Sequence, residues 1–271
     1  SILLPRLKQF SEAYPEIDVV DAYGIQLLNI NKRLEAGALV RGHKVGLSAK
    51  AMQQMLGVHE PDYGHLLDDM FVDEGASIPI GRFCQPRAEI EVAFVLGRRL
   101  EGPGVTIADV MRATDYVLPS IEIVDSRVAD WKIKIQDTIA DNASSAALVL
   151  GGRPTRLHDI DPALIGATLR KNGEIVETGC SGAVLGNPAI AVAWLANKVA
   201  QFGVALEPGH VIMPGSCTRM IPVVAGDHVR ADFHAPGPHP RSGRDGAPAV
   251  DGDSDRPWAA PRSAARCLRP A

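Results

Sequence analysis

The segment EIEVAFVL, residues 89–96, decides the fold of this 271-residue chain. Its apolar residues are continuous except for Glu89 and Glu91, which predicts a strand that is covered on both faces. Successive side chains of a strand point to opposite faces, so the two carboxylates share one face and leave the other wholly apolar. Acids beside a core need compensation, because an unpaired buried carboxylate costs several kcal/mol.

A second predicted strand, residues 117–124, carries Glu122 among branched apolar residues. Three carboxylates without a nearby His or Cys suit a hard divalent cation such as Mg²⁺ or Mn²⁺. The alternative is that Glu89 and Glu91 lie on the solvated face of an edge strand and pair with Arg82 or Arg87. The pattern alone leaves both interpretations open.

Further polar residues are candidates for proton transfer or substrate binding. Lys44 lies in GHKVGL, residues 42–47, within a predicted strand. If it points into a cleft, desolvation and neighbouring charges would tune it for proton transfer; the alternative is a surface lysine on an edge strand. Asp62 and Asp69 belong to residues 57–69, which we predict to form a loop. They are either acid/base groups or ordinary polar residues of a loop. The small polar runs 141–145 and 215–218 either line a pocket or form turns.

The remaining pattern predicts an α+β protein. Apolar spacing predicts a helix over residues 18–36 with Asp18 as its N-cap, and Asn172-Gly173 predicts a hairpin. Further predicted elements are strands over residues 40–47, 211–213 and 228–233 and helices over residues 48–56, 105–113 and 188–202. We expect a helical N-terminal segment over residues 1–38 and a catalytic β-rich domain over residues 39–233. Residues 234–271 are too poor in branched apolar side chains to form a core, so we expect a disordered tail.

Composition excludes some classes of protein. A formal net charge of −4 and a pI near 6.1 give no sign of a basic nucleic-acid-binding face. No run approaches the roughly 20 apolar residues that span a bilayer. The start lacks a signal-peptide pattern, and the four cysteines are scattered. We therefore expect a reduced, cytoplasmic protein that binds neither nucleic acid nor membrane.

Ordered motifs across residues 42–233 resemble the fumarylacetoacetate hydrolase superfamily, in particular its branch of 2-hydroxypenta-2,4-dienoate hydratases and 4-oxalocrotonate decarboxylases. The segments that carry the resemblance are GHKVGLSAKAMQQMLGV from residue 42, EPDYGHLLDDM from 60, PRAEIEVAFVLGRRL from 86, VLPSIEIVDSRVADW from 117, IADNASSA from 139, GNPAIAVAWLANKVAQFG from 186 and PGSCTR from 214. The sequence is more similar to the hydratases, notably in PDYG at residues 61–64, DDM at 68–70 and GSCTR at 215–219.

The resemblance implies a mixed, barrel-like β roll with peripheral helices. It also implies that Glu89, Glu91 and Glu122 bind Mg²⁺ or Mn²⁺, that Lys44 and Asp62 transfer protons, and that Ser144 and Asp69 contact the substrate. The expected reaction adds water to 2-hydroxypenta-2,4-dienoate, or to a methyl-extended homologue, in the meta-cleavage degradation of aromatic or steroid rings.

The resemblance leaves other activities open. They are decarboxylation of 4-oxalocrotonate, a catalytically idle structural partner of such a decarboxylase, and carbon–carbon bond hydrolysis, which would need a histidine-centred site. A homo-oligomer, with the option of a complex with a neighbouring pathway enzyme, is also expected. The family's usual last strand is replaced by the tail from His234.

Overall fold

The computed structural model describes residues 7–50, 53–54 and 57–235. Their largest element is a mixed sheet that curls into a half-barrel, with strand order β2-β1-β9-β4-β5-β6-β3 and with β10 paired to β4. A smaller sheet has the order β11-β7-β8. The strands are β1 Val40–Gly46, β2 Asp62–Leu67, β3 Phe71–Val72, β4 Arg87–Leu96, β5 Thr114–Val124, β6 Ser145–Leu150, β7 Gly166–Lys171, β8 Glu174–Cys180, β9 Val211–Met213, β10 Ile221–Pro222 and β11 Val229–His234. This architecture confirms the predicted α+β class.

Helices surround the large sheet. In the described residues they are α1 Phe10–Ala13, α2 Val19–Glu35, α3 Ile107–Ala113, α4 Ile135–Ala140 and α5 Pro188–Ala200. Asp18 caps α2 as predicted, since its Oδ1 accepts a hydrogen bond from the Asp21 amide at 2.9 Å. None of these helices is both long and apolar enough to cross a bilayer.

Strand β4 is covered on both faces, as its sequence predicts. Ile90 and Phe94 are fully buried in the larger core, where α5 also packs. On the other face, Ala93 and Val95 pack in a smaller core. Strand alternation places the glutamates of β4 on this second face.

Strand β2 corrects the prediction of a loop over residues 57–69. All six residues from Asp62 to Leu67 are buried, and the strand pairs antiparallel with β1. Asp62, Gly64 and His65 interrupt the apolar pattern that would have indicated a strand. Gly64 is required by close packing, because a Cβ at this position would lie 2.4 Å from the carbonyl oxygen of Asn142. The missing side chain therefore lets β2 approach the residues that precede β6.

Helix α2 belongs to the same core as the sheet. Its Tyr23 stacks on Tyr63 of β2 with ring centroids 4.6 Å apart. The side-chain amide of Gln26 donates to the carbonyl oxygens of Tyr63 and Ile139, both at 2.9 Å. The predicted helix over residues 48–56 lies partly outside the described residues, and nearly all of the predicted tail lies outside them.

Two glycine substitutions should have opposite effects on stability. Gly64→Ala should lower the free energy of unfolding by about 1–3 kcal/mol, the usual cost of overpacking a closed site. Gly24→Ala, at an exposed position within α2 where a Cβ meets nothing within 4 Å, should raise it by about 0.5–1 kcal/mol. Urea unfolding followed by circular dichroism measures both changes. A neutral Gly64→Ala variant would contradict the close approach of β2 to the Asn142 backbone.

Candidate metal centre

Three glutamates meet on one face of the large sheet. Glu89 and Glu91 are two residues apart on β4, and Glu122 of β5 is the direct cross-strand partner of Glu89. One carboxylate oxygen from each residue lies within 4.8 Å of the others. Glu91 and Glu122 are 1% and 0% exposed, and Glu89 is partly buried. Strand β4 is flanked by β5 on one side and by β9 and β10 on the other, so these acids do not lie on an edge strand.

The cluster is electrostatically unfavourable without a counter-ion. Burial and the charge of Glu122 raise the pKa of Glu89 to about 7. Burial, Glu122 and Glu89 raise the pKa of Glu91 well above its usual range. Glu91 accepts a hydrogen bond from the Gly215 amide at 2.8 Å, whereas neither oxygen of Glu122 has a hydrogen-bond partner of ordinary geometry. Converging, under-satisfied carboxylate oxygens form a donor set that fits a hard divalent cation.

Lys44 is the cation that the fold itself brings to the glutamates. Its side chain, on β1, is buried, and its Nζ lies 3.4 Å from Glu122 Oε1 and donates to the carbonyl oxygen of Ala143 at 3.0 Å. Burial alone would lower the pKa of Lys44, but the carboxylates of Glu122 and Asp62 outweigh it and raise that pKa above its usual value. Lys44 is therefore a stable ammonium group and not the surface lysine of the alternative interpretation.

Asp62 lies beside Lys44 at the adjoining edge of the sheet. It pairs with Gly46 of β1, where a Cβ would come within 2.1 Å of its Oδ1. The side chain is 1% exposed, Oδ1 has no hydrogen-bond partner among the described residues, and Thr138 supplies one hydrogen bond to the carboxyl group. Burial raises its pKa, although Lys44 opposes the shift. The raised pKa makes Asp62 a better proton donor and acceptor than an exposed carboxylate.

A left-handed turn holds Lys44 in place, and sequence analysis missed its role. Asn142, Ala143 and Ser144 have φ angles of 55°, 52° and 54°. The Asn142 side chain accepts from the His65 amide at 2.7 Å and donates to the His65 carbonyl oxygen at 2.9 Å, which fixes the turn against β2. This conformation aims the Ala143 carbonyl at Lys44. The one signal in the sequence was Asn142 itself, because asparagine tolerates this backbone region better than most residues.

Four of the predicted residues line one cleft of about 1230 Å³: Lys44, Asp62, Glu89 and Ser144. The Ser144 hydroxyl is buried and has no hydrogen-bond partner in the part of the chain that the structure describes, so it can bind a ligand. Arg87, which sequence analysis considered only as a partner for an exposed acid, also lines the cleft, and its guanidinium stacks over Trp131 at 4.5 Å from the ring centroid.

Asp69 does not join this cleft. It lies on a short 3₁₀ helix, Asp68–Met70, where its carboxylate pairs with Arg33 at 2.7 Å and is 55% exposed. It lines a separate pocket of about 180 Å³. Because Asp69 is exposed and lines a different pocket, it is not brought together with the other predicted residues, and its contact with the substrate stays a prediction.

Comparison with known proteins gives consistent results. Residues 40–241 match the family described as fumarylacetoacetate (FAA) hydrolase, C-terminal. A 2-oxo-hept-4-ene-1,7-dioate hydratase from Escherichia coli is 45% identical over 234 residues, which cover 84% of this chain and 88% of the relative. A 2-hydroxypent-2,4-dienoate hydratase from Pseudomonas putida is 50% identical over 191 residues, covering 70% and 86%. The solved 4-oxalocrotonate decarboxylase from Pseudomonas putida G7, complexed with magnesium and adipate, superposes with a TM-score of 0.82 at 36% identity, covering 84% and 87%.

Neutralising one glutamate should stabilise the metal-free protein. The raised pKa of Glu91 means that the folded state binds its proton more tightly than the unfolded state, so this group lowers stability as pH rises through the raised pKa. In a chelator at about pH 8, Glu91→Gln should therefore raise the free energy of unfolding by about 1–3 kcal/mol, and Tm by about 2–4 °C for each kcal/mol.

The pH dependence is the diagnostic part of this prediction. The gain in the free energy of unfolding of Glu91→Gln over the wild type should shrink towards about pH 5, where the wild-type glutamates are partly protonated. Glu12→Gln, at an exposed site on α1, serves as the control and should leave Tm unchanged at both pH values. An equal gain at both pH values would contradict mutual repulsion as the cause.

Proposed function

The chain belongs to the fumarylacetoacetate hydrolase family, and on that premise we propose that it is a metal-dependent hydratase of 2-hydroxy-2,4-dienoates. The observation that carries the proposal is the convergence of Glu89, Glu91 and Glu122 on Lys44 beside the cleft that also holds Asp62. Relatives that are 45% and 50% identical carry hydratase names. The parent substrate, 2-hydroxypenta-2,4-dienoate, would give 4-hydroxy-2-oxopentanoate.

The three glutamates would hold Mg²⁺ or Mn²⁺. Such an ion, when bound, supplies a Lewis acid for the substrate's carboxylate and its neighbouring 2-oxygen, where charge builds up during the reaction. Support comes from the under-satisfied oxygens of Glu122, from the raised pKa values of Glu89 and Glu91, and from a similar solved structure that is described with magnesium.

The reaction requires protonation of two carbon atoms and the addition of one water molecule. The dienol loses its hydroxyl proton and gains a proton at the terminal carbon, which yields an unsaturated 2-oxo acid. Water then adds its oxygen at C4, and a proton is gained at C3. Lys44, as a persistent ammonium group, donates a hydrogen bond to the developing enolate oxygen and keeps the negative charge there. Asp62, with its raised pKa and free Oδ1, exchanges the proton between water and carbon.

Ser144 completes the binding site in this proposal. Its hydroxyl lies in the wall of the cleft beside the Ala143 carbonyl that holds Lys44. A hydroxyl can both donate and accept, so it can hydrogen-bond the carboxylate or the 2-oxygen of the substrate. Because the turn from Asn142 to Ser144 is fixed by β2, the hydroxyl and the ammonium group keep a constant separation.

Decarboxylation of 4-oxalocrotonate is the second candidate, and the similar solved decarboxylase favours it. The closer sequence identity to hydratases, over at least 70% of the chain, favours hydration. Carbon–carbon hydrolysis is disfavoured because, among the described residues, no histidine lines the cleft, and His43 and His65 pack against each other instead. An idle structural partner is disfavoured because every proposed acid, base and ligand except Asp69 is brought to one site.

Turnover of purified protein tests the proposal directly. We expect conversion of 2-hydroxypenta-2,4-dienoate to 4-hydroxy-2-oxopentanoate, followed by loss of the dienol absorbance and by product chromatography. Chelation should abolish the activity, and added Mg²⁺ or Mn²⁺ should restore it. Carbon dioxide release from 4-oxalocrotonate is assayed in parallel. Faster decarboxylation than hydration would favour the second candidate, and hydration that survives complete metal removal would refute the metal-dependent mechanism.

Lys44→Met should lower kcat for dienoate hydration by about 10²–10³-fold, the usual effect of removing one hydrogen-bond donor to a developing oxyanion. The reason is that methionine fills the same space but provides no positive charge for the enolate oxygen. Lys171→Met removes a lysine of similar size that pairs with Asp227 and does not line the cleft, and it should leave kcat unchanged. Steady-state kinetics with saturating metal measures both. An active Lys44→Met enzyme would remove Lys44 from the mechanism.

A further inference from the structure

The wall of the cleft formed by the small sheet and by the segment before α4 is largely apolar. It includes Ile175 and Val176 of β8 together with Trp131 and Ile133. The side chains of Ile175 and Val176 are 52% and 40% exposed, so they offer adjacent apolar surface to whatever occupies the cleft. Since the glutamates, Lys44 and Asp62 occupy the large sheet, this second wall faces the part of a ligand that does not react.

Every cation that lines the described part of the cleft already has a partner. Lys44 is held by Glu122 and the Ala143 carbonyl. Arg87 stacks on Trp131 and lies near the charge of Glu89. Arg219 is held by both oxygens of Glu177, with its Nη2 3.0 Å from Oε1 and its Nε 3.3 Å from Oε2. The far wall therefore offers no unpaired positive charge to a second substrate carboxylate.

The carboxylate of Glu177 would also repel a second carboxylate of the substrate. Its carboxylate is only 16% exposed, whereas the Arg219 side chain is 86% exposed. The acid is thus shielded from water within the wall, and its partner extends into solvent. Because the Arg219 side chain lies mostly in solvent, where its charge is screened, it offsets only part of the Glu177 charge on the side of the cleft. A carboxylate at the far end of a substrate would meet the remaining negative charge in a partly dehydrated place, where like charges repel more strongly than in bulk water.

We infer that Glu177 selects 2-hydroxy-2,4-dienoates that end in a hydrogen or a short alkyl group and rejects those that end in a second carboxylate. The inference rests on the proposed hydratase function and names its substrate class. A relative that is 45% identical is named for a dioate, so the shared framework is compatible with either kind of tail. The selection must then come from the wall that faces the tail, and β8 supplies that wall here.

The test compares kcat/KM for 2-hydroxypenta-2,4-dienoate, 2-hydroxyhexa-2,4-dienoate and 2-hydroxyhepta-2,4-diene-1,7-dioate. The wild-type enzyme should favour either monoacid over the dioate by at least about tenfold. Glu177→Gln should raise the dioate-to-pentadienoate ratio by about fivefold, the effect of removing one nearby like charge close to the surface. Arg219→Gln, which leaves Glu177 without its partner, should lower the same ratio.

Glu174→Gln is the matched control, because Glu174 is an exposed acid on the same strand that does not line the cleft. It should leave the ratio unchanged. A wild-type enzyme that prefers the dioate, or a Glu177→Gln ratio equal to that of the control, would overturn the inference while leaving the hydratase function intact. Failure to hydrate all three compounds would overturn the proposed function and this inference together.

Discussion

Three like charges held together inside a protein are the constraint on which the rest of this structure depends. Glu89, Glu91 and Glu122 are fixed in one place by the register of two central strands, so the chain cannot relieve their repulsion by moving them apart. Lys44 and the Gly215 amide offset part of this repulsion, and the arrangement of the carboxylates suits a divalent cation that would offset the rest. The clustered carboxylates therefore lower the stability of the metal-free protein, and the same arrangement prepares them to bind a divalent cation.

The surrounding architecture serves to keep a lysine next to these acids. Lys44 is buried in the wall of the cleft, and the turn from Asn142 to Ser144 holds it there through the Ala143 carbonyl oxygen. That turn places three residues in the left-handed region, a conformation that costs free energy and persists only when its surroundings determine it. Gly46 and Gly64 are part of the same arrangement, because each leaves room for a group that the site needs.

Sequence patterns predicted the parts of this structure that follow local rules. The capped helix α2, the two-faced burial of β4 and the approach of Glu122 to the β4 acids all come from periodicity or from resemblance. Strand β2 was not predicted because Asp62, Gly64 and His65 interrupt its apolar pattern. These residues make contacts around the site in place of an apolar core. The substrate contact of Asp69 stays a prediction; its carboxylate pairs with Arg33 on a short 3₁₀ helix, and adjacency in a sequence motif does not determine such a placement. Both cases are decided by tertiary packing.

The presence of two separate sheets divides the tasks of the site. The proposed reacting groups Glu89, Glu91, Glu122, Lys44 and Asp62 belong to the large sheet. Ile175, Val176 and Glu177 belong to β8, an edge strand of the small sheet, which in the described chain pairs with β7 alone. Substitutions at Ile175, Val176 and Glu177 can thus alter what the cleft accepts without changing the strand register that brings the glutamates together. Substrate preference and catalytic chemistry are therefore carried by different sheets, so one can be changed by mutation while the other is kept.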